Sequence, residues 1–176
     1  MGGKRQERQH QRRREELERA LDRLEHGDGH ADLAPVRVDE LFFHDHGDLV
    51  SGLAEVLERS GLAEAFQALA RHLEEDREHW LRRLAAMAAE PALRARRQEL
   101  DRDYQALLAA HFRRWGAAGI QGERTAELEA ALTLAALRGA ERLWLQGGGR
   151  PVLPVLVQEA LALLWPSIYG HARRHM

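Results

Sequence analysis

The sequence predicts an all-α protein, and three observations carry that prediction. Leu, Ala, Arg and Glu dominate the composition, and all four are strong helix formers. Aromatic residues make up only 6% of the chain, and β-branched residues are rare outside 150–157, so few segments favour strands. Apolar residues recur at three- and four-residue steps along most of the chain, which is the spacing of one helix face.

Composition also narrows the functional class. A chain of 176 residues suits one domain, or one domain with a small appendage. It contains no cysteine, which excludes disulfides, thiol catalysis and cysteine-ligated zinc. No apolar segment follows the charged start as it would in a signal peptide, so we expect a cytoplasmic protein.

Charge is spread unevenly along the chain. The formal net charge of −2 gives the whole molecule no general attraction to nucleic acid. Residues 1–14, however, carry six Lys and Arg residues against one Glu. This basic leader is a weak signal for nucleic-acid binding, and a solvated tail is the alternative interpretation.

The N-terminal part predicts a small head. A first helix is expected over 7–25, with its apolar residues at helical spacing. The segment 27–37 is rich in glycine, aspartate and proline, and it predicts a loop. A short helix is expected over 38–43, before a second break at Gly47. We place the boundary between an N-terminal head, 1–47, and a C-terminal domain, 48–176, at this break.

The middle of the chain predicts long helices. A helix over 48–59 is followed by a long helical region over 62–87. Pro91 marks the next boundary, because the residue before a proline disfavours helical geometry and proline suits a first helical turn. The following helix ends at Gly116, and residues 119–122 form a linker.

Bulky and semi-polar side chains on the inner faces of these helices predict a small-molecule pocket. A cavity between helices, lined by aromatic rings with a few polar tips, is a common way to bind such ligands. Ordinary core packing is the alternative for each residue. The candidate ligand-binding residues are Phe66, Trp80, Met87, Tyr104, His111, Phe112 and Trp115.

The C-terminal stretch predicts a helical hairpin that pairs subunits. No charged residue occurs over 130–137, and the glycine run 147–149 stops the helix. In the second helix, 152–165, only Gln158 and Glu159 are strongly polar. A last helix without a solvated face calls for a partner, whereas a central Glu and three prolines argue against a membrane span. The predicted homodimer interface is Leu132, Ala136, Gly139, Leu143, Leu156 and Leu163.

In this order the chain resembles the tetracycline-repressor (TetR-like) family of transcription regulators. Residues 137–170 resemble the final two helices of such regulators, which form a four-helix dimer interface. Residues 12–27 are similar to the Arg-rich first helix of the family, and 42–58 to the phenylalanine-containing step from recognition helix to connecting helix. The resemblance implies an all-α bundle, a DNA-binding head and a small-molecule effector.

The head departs from the family pattern. Only the nine residues 27–35 precede the expected recognition segment 36–43 after the first break, so the supporting helix of the helix-turn-helix is missing and the head is shortened. Asp39 and Glu40 lie where a DNA-facing surface is usually neutral or basic, and acids are repelled by phosphate. On the resemblance, the candidate DNA-binding residues are Arg12, Arg13, Arg14, Arg37 and His44.

Three interpretations of the function stay open. The first is a dimeric TetR-like regulator of duplex DNA, and the second is a dimeric helical sensor or interaction protein that has lost DNA binding. The fold of 27–43 separates them, because two helices with Arg37 exposed favour the regulator. Histidines and aspartates at 26–30 and 44–48 suggest a weaker third reading, a metal-dependent enzyme, but their spacing matches no ligand motif. We expect no enzymatic activity, metal or cofactor.

Overall fold

A computed structural model of the chain describes residues 3–26, 35–115 and 120–169, with side chains placed at 11–24, 26, 39–114 and 121–164. These residues form eight helices with no strand among them, which confirms the predicted all-α class. The helices are α1 (Gly3–Glu25), α2 (Pro35–Phe42), α3 (His46–Ser60), α4 (Leu62–Glu75), α5 (Arg77–Ala89), α6 (Pro91–Trp115), α7 (Ile120–Gln146) and α8 (Leu153–Tyr169).

Several helix boundaries differ from the sequence prediction. The first helix begins at Gly3 and not at residue 7, α2 begins at Pro35 inside the predicted loop 27–37, and α8 continues to Tyr169 and not to 165.

The long helical region over 62–87 is interrupted at Asp76, whose backbone (φ −128°, ψ 54°) is not helical. Asp76 follows two glutamates at the end of α4, where the helix dipole disfavours negative charge. The predicted linker at 119–122 is also wrong, because α7 begins at Ile120 and Gly122 is buried within that helix.

The core is built around α7. This helix packs along both α6 and α8, and α8 in turn packs against α4. Trp144 of α7 is fully buried, as are Leu108 of α6 and Leu153 of α8. The predicted hairpin is therefore present, but one side of it belongs to the core of the chain itself.

Glycines end α7 as the sequence predicts. Gly148 (φ +60°) and Gly149 (φ +85°) take the left-handed conformation. The N–H of Gly149 donates to the Trp144 carbonyl at 2.9 Å, and that of Gly148 donates to Leu145 at 3.0 Å. This pair of bonds is the Schellman arrangement, which satisfies the last carbonyls of a helix. The Leu153 N–H then donates to the Glu74 carboxylate at 2.6 Å, so α4 caps the start of α8.

The N-terminal helix is attached to the body through charged side chains on α5. Glu18 accepts hydrogen bonds from His79, at 2.6 Å, and from Arg82. Arg82 also donates to Asp22 at 2.6 Å.

None of the helices in the described ranges has an apolar stretch that would span a lipid bilayer.

Candidate functional site

A cavity of about 60 Å³ lies among α3, α4, α5, α6 and α7. One part of its wall is apolar and the other is charged. The helices that meet here present side chains at helical spacing, which brings residues far apart in the chain onto one surface. The wall consists of Phe43, Asp45, His46, Leu49, Leu69, Leu73, Trp80, Arg83, Leu84, Met87, Arg97, Leu100, Asp101, Tyr104, Arg138 and Glu141.

The predicted ligand-binding residues divide into two groups. Trp80, Met87 and Tyr104 line the cavity. Phe66 and Phe112 are buried in the core away from the cavity wall. Burial without a neighbouring gap is ordinary core packing, the alternative that the sequence left open.

The other two predicted pocket residues also lie off the wall. The ring of His111 packs edge-on against Phe112, with 5.7 Å between ring centroids. Burial lowers the pKa of His111, and the nearby Arg114 acts in the same direction. The side chain of Trp115 lies outside the described residues.

A network of partly buried ion pairs, centred on the buried Glu141, forms the charged wall. Arg138 donates to Glu141 at 2.7 Å and 2.8 Å and to Asp101 at 3.0 Å, and Arg97 also donates to Glu141. Burial alone would raise the pKa of Glu141, but Arg138 and Arg97 outweigh it and lower that pKa. The Arg138 guanidinium also lies 5.2 Å from the ring centre of Tyr104. Burial raises the pKa of Tyr104 to about 12.

Arg83 connects the cavity to the junction between α2 and α3. Its guanidinium donates to both carboxylate oxygens of Asp45, at 2.7 Å and 2.5 Å, and also to the carbonyl oxygen of Phe42. The same group lies 4.5 Å from the ring centre of Trp80. Its Nε is buried and has no acceptor among the described residues. Burial would raise the pKa of Asp45, but the bonds from Arg83 lower it.

Sequence reasoning missed these charged wall residues. It selected bulky and semi-polar residues on apolar stripes and assigned no role to the charged residues of α6 and α7. A usable signal was present, because Arg97, Asp101 and Tyr104 recur at helical steps on α6, and Arg138 and Glu141 do so on α7. A charged stripe that meets an apolar stripe on a helix between other helices indicates paired internal charges.

The candidate DNA-binding residues lie on α1, α2 and the following turn. Arg12 is exposed, Arg13 is half-buried, and Arg14 forms an ion pair with Asp76 at 2.6 Å. The side chain of Arg37 lies outside the described residues. The Nδ1 of His44 lies 3.1 Å from the carbonyl oxygen of Leu41.

His44 is partly buried and lies near charges of both signs. Burial lowers its pKa, against the opposing effect of Asp45, while Arg83 and Arg13 act in the lowering direction. Arg13 of α1 is therefore close to the turn that holds His44. Two of the candidate DNA-binding residues thus belong to one region of the head.

Asp39 pairs with an arginine of the body, although its side chain is still 46% exposed. Its two carboxylate oxygens accept bonds from Arg96 of α6 at 2.6 Å and 2.7 Å. This bidentate pairing is the strong geometry for Arg and carboxylate. Glu40, in contrast, is exposed.

The histidine and aspartate loops do not assemble a cation site within the described part of the chain. No group of three potential ligands occurs there. Asp45 is engaged by Arg83, and His46 lies 2.8 Å from Asp103. Asp28 and His30 lie outside the described residues.

The exposed apolar surface is concentrated on the C-terminal hairpin. Leu132 and Leu143 are exposed on α7, and Leu163 is exposed on α8. Ala136 and Gly139 are half-buried between them. All the large exposed apolar side chains among the described residues lie on this hairpin, namely Leu128, Leu132, Leu143, Val152, Val155 and Leu163.

Leu156, also predicted at the interface, is buried within the chain itself. It lies nearly two helical turns before Leu163 and so points in the same direction. Yet Leu156 is only 7% exposed, whereas Leu163 is 81% exposed. The helices that cover the first turns of α8 therefore take Leu156 into the core of the chain itself.

Comparison with protein-family models gives a match over more than half of the chain. A family model described as the MftR C-terminal domain, TetR_C_14, matches residues 44–168. The match includes every residue of the cavity wall except Phe43. No curated protein and no solved structure matches the chain.

Proposed function

The chain belongs to the family of TetR-like regulators, because the match covers more than half of its length, and on that premise we propose that it is a homodimeric, DNA-binding transcription regulator that responds to a small-molecule effector. We propose that the chain is not an enzyme. The two-part organisation, with a head over 1–47 and a ligand-binding and dimerisation domain over 48–176, is part of this proposal.

The cavity is the observation that carries the effector response. It lies between helices of the matched domain, and it combines apolar walls with buried charged groups. Sites of this composition bind small molecules, because the apolar walls supply affinity and a few fixed polar groups supply orientation. Arg83 joins this cavity to Phe42 and Asp45 at the C-terminal end of the head, so occupancy of the cavity has a physical route to the head.

The apolar face of α7 and α8 supports the homodimer. Leu128, Leu132 and Leu143 recur at helical spacing on α7 and are all exposed. Contiguous apolar surface on a soluble protein marks an interaction site. Two copies that pair the same face form a closed two-fold dimer, the commonest symmetric assembly.

The arginines of α1 support DNA binding. Arg12 is exposed, and arginine suits both phosphate and guanine contacts. The pairing of Asp39 with Arg96 removes one of the two acids that would repel phosphate.

The alternative function is a dimeric sensor or interaction protein without DNA binding. It is favoured by the commitment of Arg14 to Asp76 and by the exposed Glu40. Both features reduce the positive charge that the head offers to a duplex.

Binding to duplex DNA from upstream of the gene, against a scrambled duplex at two salt concentrations, tests the proposal. The regulator binds the native duplex preferentially, and the preference persists at higher salt because base contacts are less salt-dependent than phosphate contacts. Double substitution Arg12→Ala and Arg13→Ala weakens binding, whereas Arg19→Ala and Arg23→Ala, on the same helix, serve as the control. Equal binding to both duplexes that collapses with salt supports the alternative function.

A further inference from the structure

Arg83 is the buried cation on which this inference rests. Its side chain is only 3% exposed, and it forms part of the cavity wall. Resting on the proposed function, we propose that the cavity binds a small carboxylate, which replaces the Asp45 carboxylate on Arg83 and thereby releases the junction between α2 and α3.

The unpaired Nε of Arg83 calls for an acceptor. A guanidinium has five N–H donors, and its geometry matches a carboxylate bidentately. The two terminal nitrogens are bonded to Asp45 and Phe42, but Nε is buried without an acceptor among the described residues. A buried donor without a partner is unfavourable, so a ligand oxygen that reaches it is bound favourably.

The arginines of the cavity wall are already neutralised, so a bound carboxylate has to replace the Asp45 carboxylate on Arg83. Arg97 and Arg138 are neutralised by Asp101 and Glu141. Arg83 is likewise neutralised by Asp45. A further carboxylate would leave an unpaired negative charge in a partly buried space, which is costly.

Asp45 is the acid that can leave. Its side chain is 24% exposed, whereas that of Glu141 is 6% exposed. Asp45 also lies in the turn before α3, while Glu141 is within a long helix. A displaced Asp45 carboxylate therefore reaches water, and the total charge around Arg83 stays the same.

The size of the cavity sets the size of the ligand. About 60 Å³ corresponds to roughly four water-sized groups at about 15 Å³ each. The carboxylate takes the place of the Asp45 carboxylate, so this volume is available for the rest of the ligand. Leu69, Leu84 and Leu100 line it, and these walls suit an unbranched chain of about three carbons, as in butyrate.

The exchange has a consequence for the head. Arg83 bonds to Asp45, directly before α3, and to the carbonyl oxygen of Phe42, the last residue of α2. A ligand that occupies the guanidinium loosens this attachment. The remaining ion pair between α2 and α6, Asp39 with Arg96, then becomes a pivot for α2. Effector binding therefore changes the position of α2 relative to the body.

Calorimetric titration of the full chain with butyrate, and with butyramide as its neutral match, tests the exchange. In the Asp45→Asn variant the ligand no longer competes with a tethered carboxylate, whose effective concentration is high. We expect butyrate to bind this variant at least about tenfold more tightly than the parent chain. Asp48→Asn, an exposed acid near the same turn, is the matched control and leaves the affinity unchanged.

Either of two titration results would overturn the inference. If Asp45→Asn binds butyrate equally or more weakly, Asp45 does not compete with the ligand. If butyramide binds as tightly as butyrate, the site does not select a carboxylate. Thermal denaturation gives a second readout, because butyrate raises the Tm of Asp45→Asn more than that of the parent chain.

Butyrate binding and duplex binding, measured on the parent chain and on Asp45→Asn, separate this inference from the proposed function. If butyrate binds as expected but no duplex is bound preferentially, the carboxylate site is supported and the regulator is not. If the native duplex is bound preferentially but butyrate fails in both chains, the regulator stands and the carboxylate site is overturned.

Discussion

Glu141 shows how much a single buried carboxylate contributes to this fold. It is only 5% exposed and accepts bonds from both Arg97 and Arg138. Glu141→Gln keeps the shape but removes the buried negative charge that pairs with the half-buried Arg97 and Arg138, and we expect a loss of about 3 kcal/mol in the free energy of unfolding. Urea denaturation measures it.

The matched control for this prediction is an exposed ion pair. Arg113 donates to Glu127 at 3.0 Å, and both side chains are exposed. Glu127→Gln is expected to cost at most about 1 kcal/mol. Equal losses in the two variants would show that burial of Glu141 adds nothing.

His111 makes stability depend on pH. Burial lowers its pKa from the ordinary 6.5, so the unfolded chain binds a proton more readily than the folded chain. Stability from this group is therefore complete above about pH 6.5 and is lost as the pH falls through the lower folded pKa. His111→Gln flattens the fall in unfolding free energy between about pH 7.5 and 5.5, as followed by denaturant titrations at each pH. A variant with the full slope would contradict this assignment.

Individual pocket residues could be predicted from the sequence only in part. Periodicity separates inward from outward residues, and it placed Trp80, Met87 and Phe66 inside correctly. It does not say which inward residues border a gap, because that depends on how helices far apart in sequence meet. For the same reason it could not show that Arg83 reaches Asp45, across 38 positions of the chain.

At the scale of elements, the turn between α7 and α8 is a position where glycine is required. Gly149 has φ +85°, and an added Cβ would lie 2.9 Å from the Arg77 Cδ and 3.1 Å from the Leu81 Cδ1. Gly149→Ala therefore carries the left-handed penalty of about 1–2 kcal/mol and about 1 kcal/mol more for displaced neighbours on α5. Thermal denaturation measures the total.

Gly148 provides the control for this turn. Its φ of +60° is also left-handed, but an added Cβ would meet nothing within 4 Å. Gly148→Ala is expected to carry only the backbone penalty of about 1–2 kcal/mol. If Gly148→Ala is the more destabilising of the two, the contact with α5 is not a constraint on the turn.

Elements with local signals were predicted best. The glycine run at 147–149 and Pro91 fixed helix ends, because glycine and proline act through the backbone itself. The turn at Asp76 has no such residue, and its position depends on the packing of α5 against α1 and α6. The start of α7 was misplaced because Gly119 and Gly122 read as a linker, although Gly122 is buried in the helix.

At the scale of the whole molecule, the apolar hairpin carries the quaternary prediction. The sequence indicated that α7 and α8 were too apolar for a lone bundle, and Leu132, Leu143 and Leu163 are indeed exposed. It could not indicate how much of the hairpin the chain covers by itself, and Leu156, predicted at the interface, is only 7% exposed in the single chain.

Gly139 allows the proposed dimer to be tested without disturbing the chain's own core. It lies on α7 between Leu132 and Leu143, and an added Cβ would meet nothing within 4 Å. The side chain of Gly139→Leu therefore starts in open space, and we expect a folded monomer with a helix propensity raised by up to about 1 kcal/mol. In a dimer in which α7 approaches its counterpart closely at this glycine, the added side chain fills the space that the partner helix needs. We expect Gly139→Leu to sediment as a monomer at concentrations where the parent chain is a dimer.

Gly52 of α3 gives the matched control, because it is also a helical glycine with nothing within 4 Å of an added Cβ, but it lies away from the hairpin. Gly52→Leu gains the same helix propensity and keeps the dimer. Loss of dimer in Gly139→Leu alone places the interface on α7, and the monomer that results also loses preference for a two-fold DNA site, because two linked heads are needed to read both half-sites. If both variants stay dimeric, with unchanged dissociation constants, α7 does not pair closely at Gly139, and the exposed leucines serve a different contact.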